Sequence, residues 1–279
     1  MSTTPPPVTG LAFTPSITTT RITWRSLGLT PLIDHYRVHG RPGRHADIPL
    51  DDSTLVGKTV YPQLLHTGLD PAGEEWSYRV VAVSDAGRRG AASKPLVAHS
   101  QASVTATGTP VAVIGEFDAK TLELRFAPSG CSTLAKTYPN AVIEYTQGVD
   151  TPAGGWPYLL PGPGDSWAGS RVWTARWHVD GLPDASHALA IWLVDTTKLG
   201  GKLQVNLNGS PLRQIIQPIG STRGSREGDA TVVGSPLVRS VHEFELPNRT
   251  LTPGRNTIEF VVTEGGWVAW DAVGLFTIS

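Results

Sequence analysis

Trp76-Ser77-Tyr78-Arg79-Val80-Val81-Ala82-Val83 reads as a β-strand, and the turn Asp85-Ala86-Gly87 follows it. Outward from this stretch the same period of two recurs. Arg21-Ile22-Thr23-Trp24 and His35-Tyr36-Arg37-Val38 alternate polar with apolar residues, as half-buried strands do. Turn clusters separate these strands at intervals of about ten residues, the spacing of a β-sandwich. No window sustains an amphipathic helical period, so the expected fold class is all-β.

Composition agrees with this reading. The 279 residues include 30 Gly and 23 Pro, which supply many turns. A typical domain takes roughly 100–200 residues, so two domains are expected. Charged residues make up 17% and the net charge is -1. With no basic block to track a phosphate backbone, nucleic acid is not an expected partner. No apolar run reaches the ~18 residues of a transmembrane helix, so a membrane is not an expected partner either. The single cysteine, Cys131, has no second cysteine to pair with and reads as a small buried hydrophobe. The entry Met1-Ser-Thr-Thr-Pro-Pro-Pro-Val8 lacks the charged and apolar regions of a signal peptide. Its Thr/Pro composition fits an interdomain linker or a short disordered tail, and both readings stand.

Ser/Thr/Ala/Gly/Pro composition replaces the strand pattern from Ala102 to Pro110, which sets a domain boundary there. Residues 1–8 are thus read as a tail or linker, 9–105 as a first domain and 111–279 as a second. In the second, Leu203-Gln-Val-Asn-Leu207 runs into Asn208-Gly209, a hairpin signal. Asn256–Val262 and Trp267–Ile278 read as a late strand pair joined through Gly265-Gly266. A series of strands without repeats fits a jelly roll.

Seven of the nine tryptophans lie in this second region, Trp156, Trp167, Trp173, Trp177, Trp192, Trp267 and Trp270. The flat C–H face of a pyranose packs on indole while its hydroxyls take polar partners at the edge. Alternation puts Trp173 and Trp177 on one strand face with His178 opposite. Trp267 and Trp270 fall on opposite faces, so at most one of them is expected in the core. Trp156 and Trp167 lie in Gly/Pro-rich loops and are the leading candidates for stacking on sugar, with core filling as the alternative. Gly220-Ser-Thr-Arg-Gly-Ser-Arg-Glu-Gly228 reads as a mobile loop and a candidate wall of a binding site. No HExxH, CxxC, Gly-x-Ser-x-Gly or P-loop motif is present. Glu144 and Asp271 are the carboxylates put forward for a structural calcium, and solvated or hydrogen-bonded carboxylates are the alternative.

Two family resemblances gather these residues. Residues from Pro5-Pro-Pro-Val-Thr-Gly-Leu11 through Trp24, Tyr36, Leu69-Asp-Pro71 and Tyr78 to the closing Ser84–Ser93 segment resemble a fibronectin type III domain. The second region resembles the carbohydrate-binding-like jelly roll of the rhamnogalacturonan lyases, polysaccharide lyase family 4. Ile114-Gly-Glu-Phe-Asp118, Glu144-Tyr-Thr-Gln-Gly148, Gly155-Trp-Pro-Tyr158, Trp173-Thr-Ala-Arg-Trp177, Gln204–Gly209, Arg223-Gly224, Leu251–Ile258 and Trp270–Leu275 carry it, in order. Ala119 stands where that family has Gly, and Trp270 where it has Tyr.

The resemblance implies a secreted accessory region that binds acidic polysaccharide of the rhamnogalacturonan or pectin type. It also implies a lyase catalytic domain as covalent or associated partner. The catalytic Lys and His of those lyases belong to a separate super-sandwich with no counterpart here, so no catalytic residue is carried over. The expected binding residues are Trp156, Tyr158, Trp167, Asn208, Arg223, Trp267 and Asp271. Two other readings stay open: a lyase or glycosidase in its own right, with His178, Asp180, Tyr158 and Arg176 as its first candidates, and a ligand-free structural or interaction module.

Overall fold

The computed structural model describes residues 4–28, 32–179, 186–232, 234–247 and 249–278. Its regular structure is almost wholly strand, and it divides into two compact units, 1–107 and 108–279.

The first unit contains β1 (Ala12–Ser16), β2 (Thr19–Thr23), β3 (Ile33–Pro42), β4 (Leu55–Thr59), β5 (Gln63–Thr67), β6 (Glu75–Ser84) and β7 (Leu96–His99). They form two sheets in the orders β1-β2-β5 and β4-β3-β6-β7. Alternation places Ile22, Val38, Tyr78 and Val80 between the sheets, with Trp24 packed edge-on to Tyr36 at 5.2 Å. The Tyr78 hydroxyl lies 2.7 Å from His66 Nδ1, so the phenol meets a polar partner at the core's edge. β6 is nonetheless buried on both faces. The segment between β3 and β4 crosses its outer side, burying Ile48, with Arg79 donating to Asp47 at 3.1 Å and Ser77 to the Gly43 carbonyl at 2.8 Å.

The second unit contains β8 (Thr109–Gly115), β9 (Val142–Thr146), β10 (Leu159–Pro161), β11 (Val172–Val179), β12 (Ser186–Thr196), β13 (Gly201–Leu207), β14 (Ser210–Gln217), β15 (Ser240–Glu245), β16 (Gly254–Gly265) and β17 (Trp267–Ile278). One sheet runs β10-β17-β12-β15, with β8 also on β17; the other runs β14-β13-β16-β11-β9. β16 and β17 are therefore not the pair that their adjacency in sequence suggests. The chain changes sheets at Gly266, where a Cβ would lie 2.5 Å from Thr197 Cγ2.

Between the sheets lies an aromatic cluster in which Trp156 sits 5.0 Å from Trp173 and 5.6 Å from Trp270. Tyr145 and Phe260 complete it. Trp173 and Trp177 share this inner face, while Arg176 and His178 face outward.

Trp267 and Trp270 are both buried, contrary to the expectation that at most one would be. Both join the main core cluster of the second unit, and loops also cover the outer face of the β17 sheet. Phe117 packs on Trp192 and Phe276 at 5.2 and 5.7 Å, and Gly224 lies against Ala269. Alternation predicts which way a side chain points and is silent on whether that face meets water.

Candidate functional site

The glycine-rich 220–228 segment is pinned, not the mobile loop its composition suggests. β12 is an apolar run that ends at Asp195, whose carboxylate is fully buried. Ser221 N donates to its Oδ1 at 2.8 Å; Ser221 Oγ, Arg223 N and Gly224 N donate to its Oδ2 at 2.7, 2.9 and 2.8 Å. A buried carboxylate with this many donors is fully compensated for its lost water. Gly224 makes the approach possible, because a Cβ there would lie 2.6 Å from that of Asp195. Tyr158 adds a second pin through its hydroxyl, which donates to the Ser225 carbonyl at 2.7 Å.

The loop and the neighbouring Lys198 line an open cleft of about 500 Å³. Lys198, Arg223 and Arg226 supply positive charge; Ser221, Thr222 and Ser225 line it, and Glu227 is its one acidic wall. Thr222 Oγ1 accepts from Lys198 N at 2.6 Å, which joins the lysine's turn to the loop. Beside the cleft's residues in sequence, Leu199 and Ile219 are exposed.

Trp167 is the tryptophan that the fold leaves exposed, at 39%. Its loop is held by Gly162 N and Gly164 N donating to the carbonyls of Gly266 and Gly265 at 2.5 and 2.7 Å. Gly265 in turn packs directly on Gly200, in the turn that carries Lys198. The Trp167 loop and the cleft thus rest on the same glycine corner.

The other predicted binding residues lie elsewhere. Trp156 and Tyr158 are fully buried and Trp267 nearly so, so none can stack on a ligand without opening the core. Asn208 is exposed, but its amide is spent within the turns. Its Nδ2 donates to the Thr250 carbonyl and Asn256 Oδ1 at 3.0 and 2.9 Å, and its Oδ1 accepts from Thr257 N at 2.9 Å.

Glu144 and Asp271 do not share a site. Glu144 pairs with Arg176 on the outer face of the β11 sheet, and Asp271 is fully buried on β17 in the other sheet. Asp271 Oδ1 accepts from Lys120 N at 3.2 Å and its Oδ2 meets no partner among the described residues. Burial pushes its carboxyl up to about 8, and the nearby Asp118 and Glu123 act in the same direction. Among the described residues, no three His, Cys, Asp or Glu side chains are grouped to hold a metal.

The residues named for catalysis do not converge. Arg176 and His178 face outward from β11, whereas Tyr158 lies in the core and burial pushes its phenol up. Asp180 lies outside the described residues. Sequence reasoning named Arg223 as a binding residue and the 220–228 segment that holds Arg226 and Glu227 as a candidate wall, and it missed Lys198 and the anchor Asp195. The available signal was Asp195 itself, a lone acid closing the apolar run Ala188–Val194.

A family model described as "CBM-like: Polysaccharide lyase family 4, domain III" matches residues 112–275, more than half of the chain. No curated protein matches the sequence. Among solved structures, the twitchin kinase region from C. elegans aligns at 18% identity over 35% of this chain and 16% of that one, with a TM-score of 0.29. A human fourth FNIII domain aligns at 19% identity over 36% of this chain and 82% of that one, with a TM-score of 0.30. A family 35 carbohydrate binding module from an environmental isolate aligns at 14% identity over 39% and 70%, with a TM-score of 0.24. This chain therefore spans a sixth of the twitchin region it matches. By the match over 112–275, the chain belongs to the CBM-like family of polysaccharide lyase family 4, domain III.

Proposed function

We propose that the second unit is a polysaccharide-binding accessory module for acidic, pectin-like polymers of the rhamnogalacturonan type. The observation that carries this reading is the cleft of Lys198, Arg223 and Arg226 on a loop fixed from beneath by Asp195. The three cations offer uronate carboxylates charge-assisted hydrogen bonds. The loop is ordered by the fold, so little entropy is lost in arranging it for a ligand. Trp167 gives the C–H face of a neighbouring sugar a place to stack.

In this reading the first unit is a spacer, the chain works outside the cell, and a lyase catalytic domain, linked or associated, performs the chemistry. Affinity gel electrophoresis tests it. Polygalacturonate or rhamnogalacturonan in the gel is expected to retard the chain, and a neutral galactan is not. K198A/R223A/R226A is expected to migrate freely and W167A to be retarded less. Equal migration of the chain and the triple variant in every acidic polymer refutes the reading.

A further inference from the structure

We propose that Glu227 is a built-in competitor for the cleft: its carboxylate occupies the Arg223 guanidinium until a carboxylate-bearing glycan displaces it. The proposal rests on the polysaccharide-binding reading and adds how that site selects its ligand.

Arg226 N and Glu227 N donate to the Arg223 carbonyl at 2.9 and 3.2 Å, one helix-like turn that brings side chains four residues apart together. Arg223 Nη1 then donates to Glu227 Oε1 at 3.1 Å. The arginine backbone has no freedom to withdraw, because Arg223 N and Gly224 N both donate to Asp195 Oδ2. Only the side chains can exchange partners.

The guanidinium is open to exchange, with the Arg223 side chain 64% exposed and that of Glu227 34%. A pair this exposed is weak. Lys198 Nζ and the Arg226 guanidinium make no ion pair with a described residue, so an arriving anion meets two uncommitted cations beside the committed one. Glu227 also borders a neighbouring open hollow of about 270 Å³, where Ser235 offers a hydroxyl and Asp229 a like charge, so its displaced carboxylate turns to solvent.

This arrangement selects for charge. A uronate carboxylate replaces the Glu227 carboxylate at Arg223 one for one and gains Lys198 and Arg226. A neutral sugar hydroxyl brings no charge to exchange for that bond. Glu227 therefore biases Arg223 toward acidic glycans over neutral ones, at a small cost in affinity for the acidic ones.

Affinity electrophoresis with polygalacturonate and neutral galactan tests the proposal on wild type, E227Q, R223A and R223A/E227Q. Phenylglyoxal modification of Arg223, followed by mass spectrometry without polymer, reports the ion pair independently of any ligand. E227Q is expected to bind polygalacturonate about twofold to fivefold more tightly, the range that an exposed pair of this kind is worth. It is also expected to gain weak retention on galactan and to speed modification of Arg223. In the R223A background the same change is expected to give no gain. E227D, which keeps the charge with a shorter reach, should fall between wild type and E227Q.

An equal gain with and without Arg223 would mean a general charge effect and overturns the competitor. So does an unchanged affinity in E227Q when R223A itself weakens binding, with the cleft reading left standing. If polygalacturonate neither retards wild type nor protects Arg223, the cleft reading fails. The modification rates then still decide the ion pair, since equal rates in wild type and E227Q overturn it.

Discussion

Replacing Asp271 with Asn should remove most of a pH dependence that its burial creates. The carboxyl is fully buried on β17, with one oxygen on Lys120 N and the other without a partner. The fold holds it near 8, against an ordinary value near 4. A raised value means that the folded state favours the proton. Its contribution is therefore complete below about pH 4 and is lost progressively as pH climbs through 8. A rise from near 4 to near 8, at ~1.4 kcal/mol for each tenfold in proton affinity, sets a ceiling of about 5–6 kcal/mol. Local relaxation and water entry reduce the measurable part to about 2–4 kcal/mol. Asn keeps an acceptor for Lys120 N and cannot ionise. D271N should then match wild type at pH 4.5 and exceed it at pH 9 by on the order of 10 °C in Tm. His242, which burial lowers to about 4, moves stability the opposite way as pH falls below its ordinary value near 6.5. Both proteins contain it, so it cancels in the difference. Thermal unfolding followed by tryptophan fluorescence is the assay, because seven of the nine tryptophans lie in the second unit. Parallel pH curves would refute the reasoning. So would a calcium-dependent rise in wild-type Tm that D271N abolishes, since that would make Asp271 an ionised ligand.

D195A leaves the donors of Ser221, Arg223 and Gly224 without their shared acceptor and should cost about 3–5 kcal/mol. Limited proteolysis should then cut between residues 220 and 228, and a variant as resistant as wild type would show that the loop stands without its anchor. Ala119 adopts φ 64, a left-handed conformation that costs a residue with a Cβ about 1 kcal/mol or more. A119G should raise stability by about 0.5 kcal/mol after the entropy that glycine loses on folding, and a fall in Tm would mean that the buried Ala119 methyl matters more than the strain.

What the sequence made legible was the part governed by local pattern. Trp173 and Trp177 are buried and His178 is outward because period two fixes direction along a strand, and β11 obeys it. The Asn208-Gly209 signal gives a hairpin with φ of 50 and 78, values that this residue pair accepts at low cost. Trp156 misled because a Gly/Pro-rich context suggests an exposed loop. Its short helical turn instead delivers the indole into the space between Trp173 and Trp270. The same error in reverse applies to Asn208, whose exposure and polarity suggest a ligand contact although its amide is committed on both sides.

The site itself depends on contacts that no local pattern encodes. Lys198 and Arg223 are 25 positions apart, and nothing in the spacing of either reveals the other. What joins them is Asp195, which sits just ahead of the lysine's turn and gathers the arginine's loop by its backbone N–H groups. An acid among apolar residues is expensive unless something satisfies it. A strand that reads Ile191-Trp-Leu-Val-Asp195 therefore announces that a donor-rich segment must cover its end. The glycines of 220–228 answer that demand, because only a chain without Cβ at 220 and 224 can come close enough. Glycine here signals close approach and a fixed conformation. That distinction separates a mobile loop from a fixed one, and it turns on the buried partner rather than on the composition of the loop.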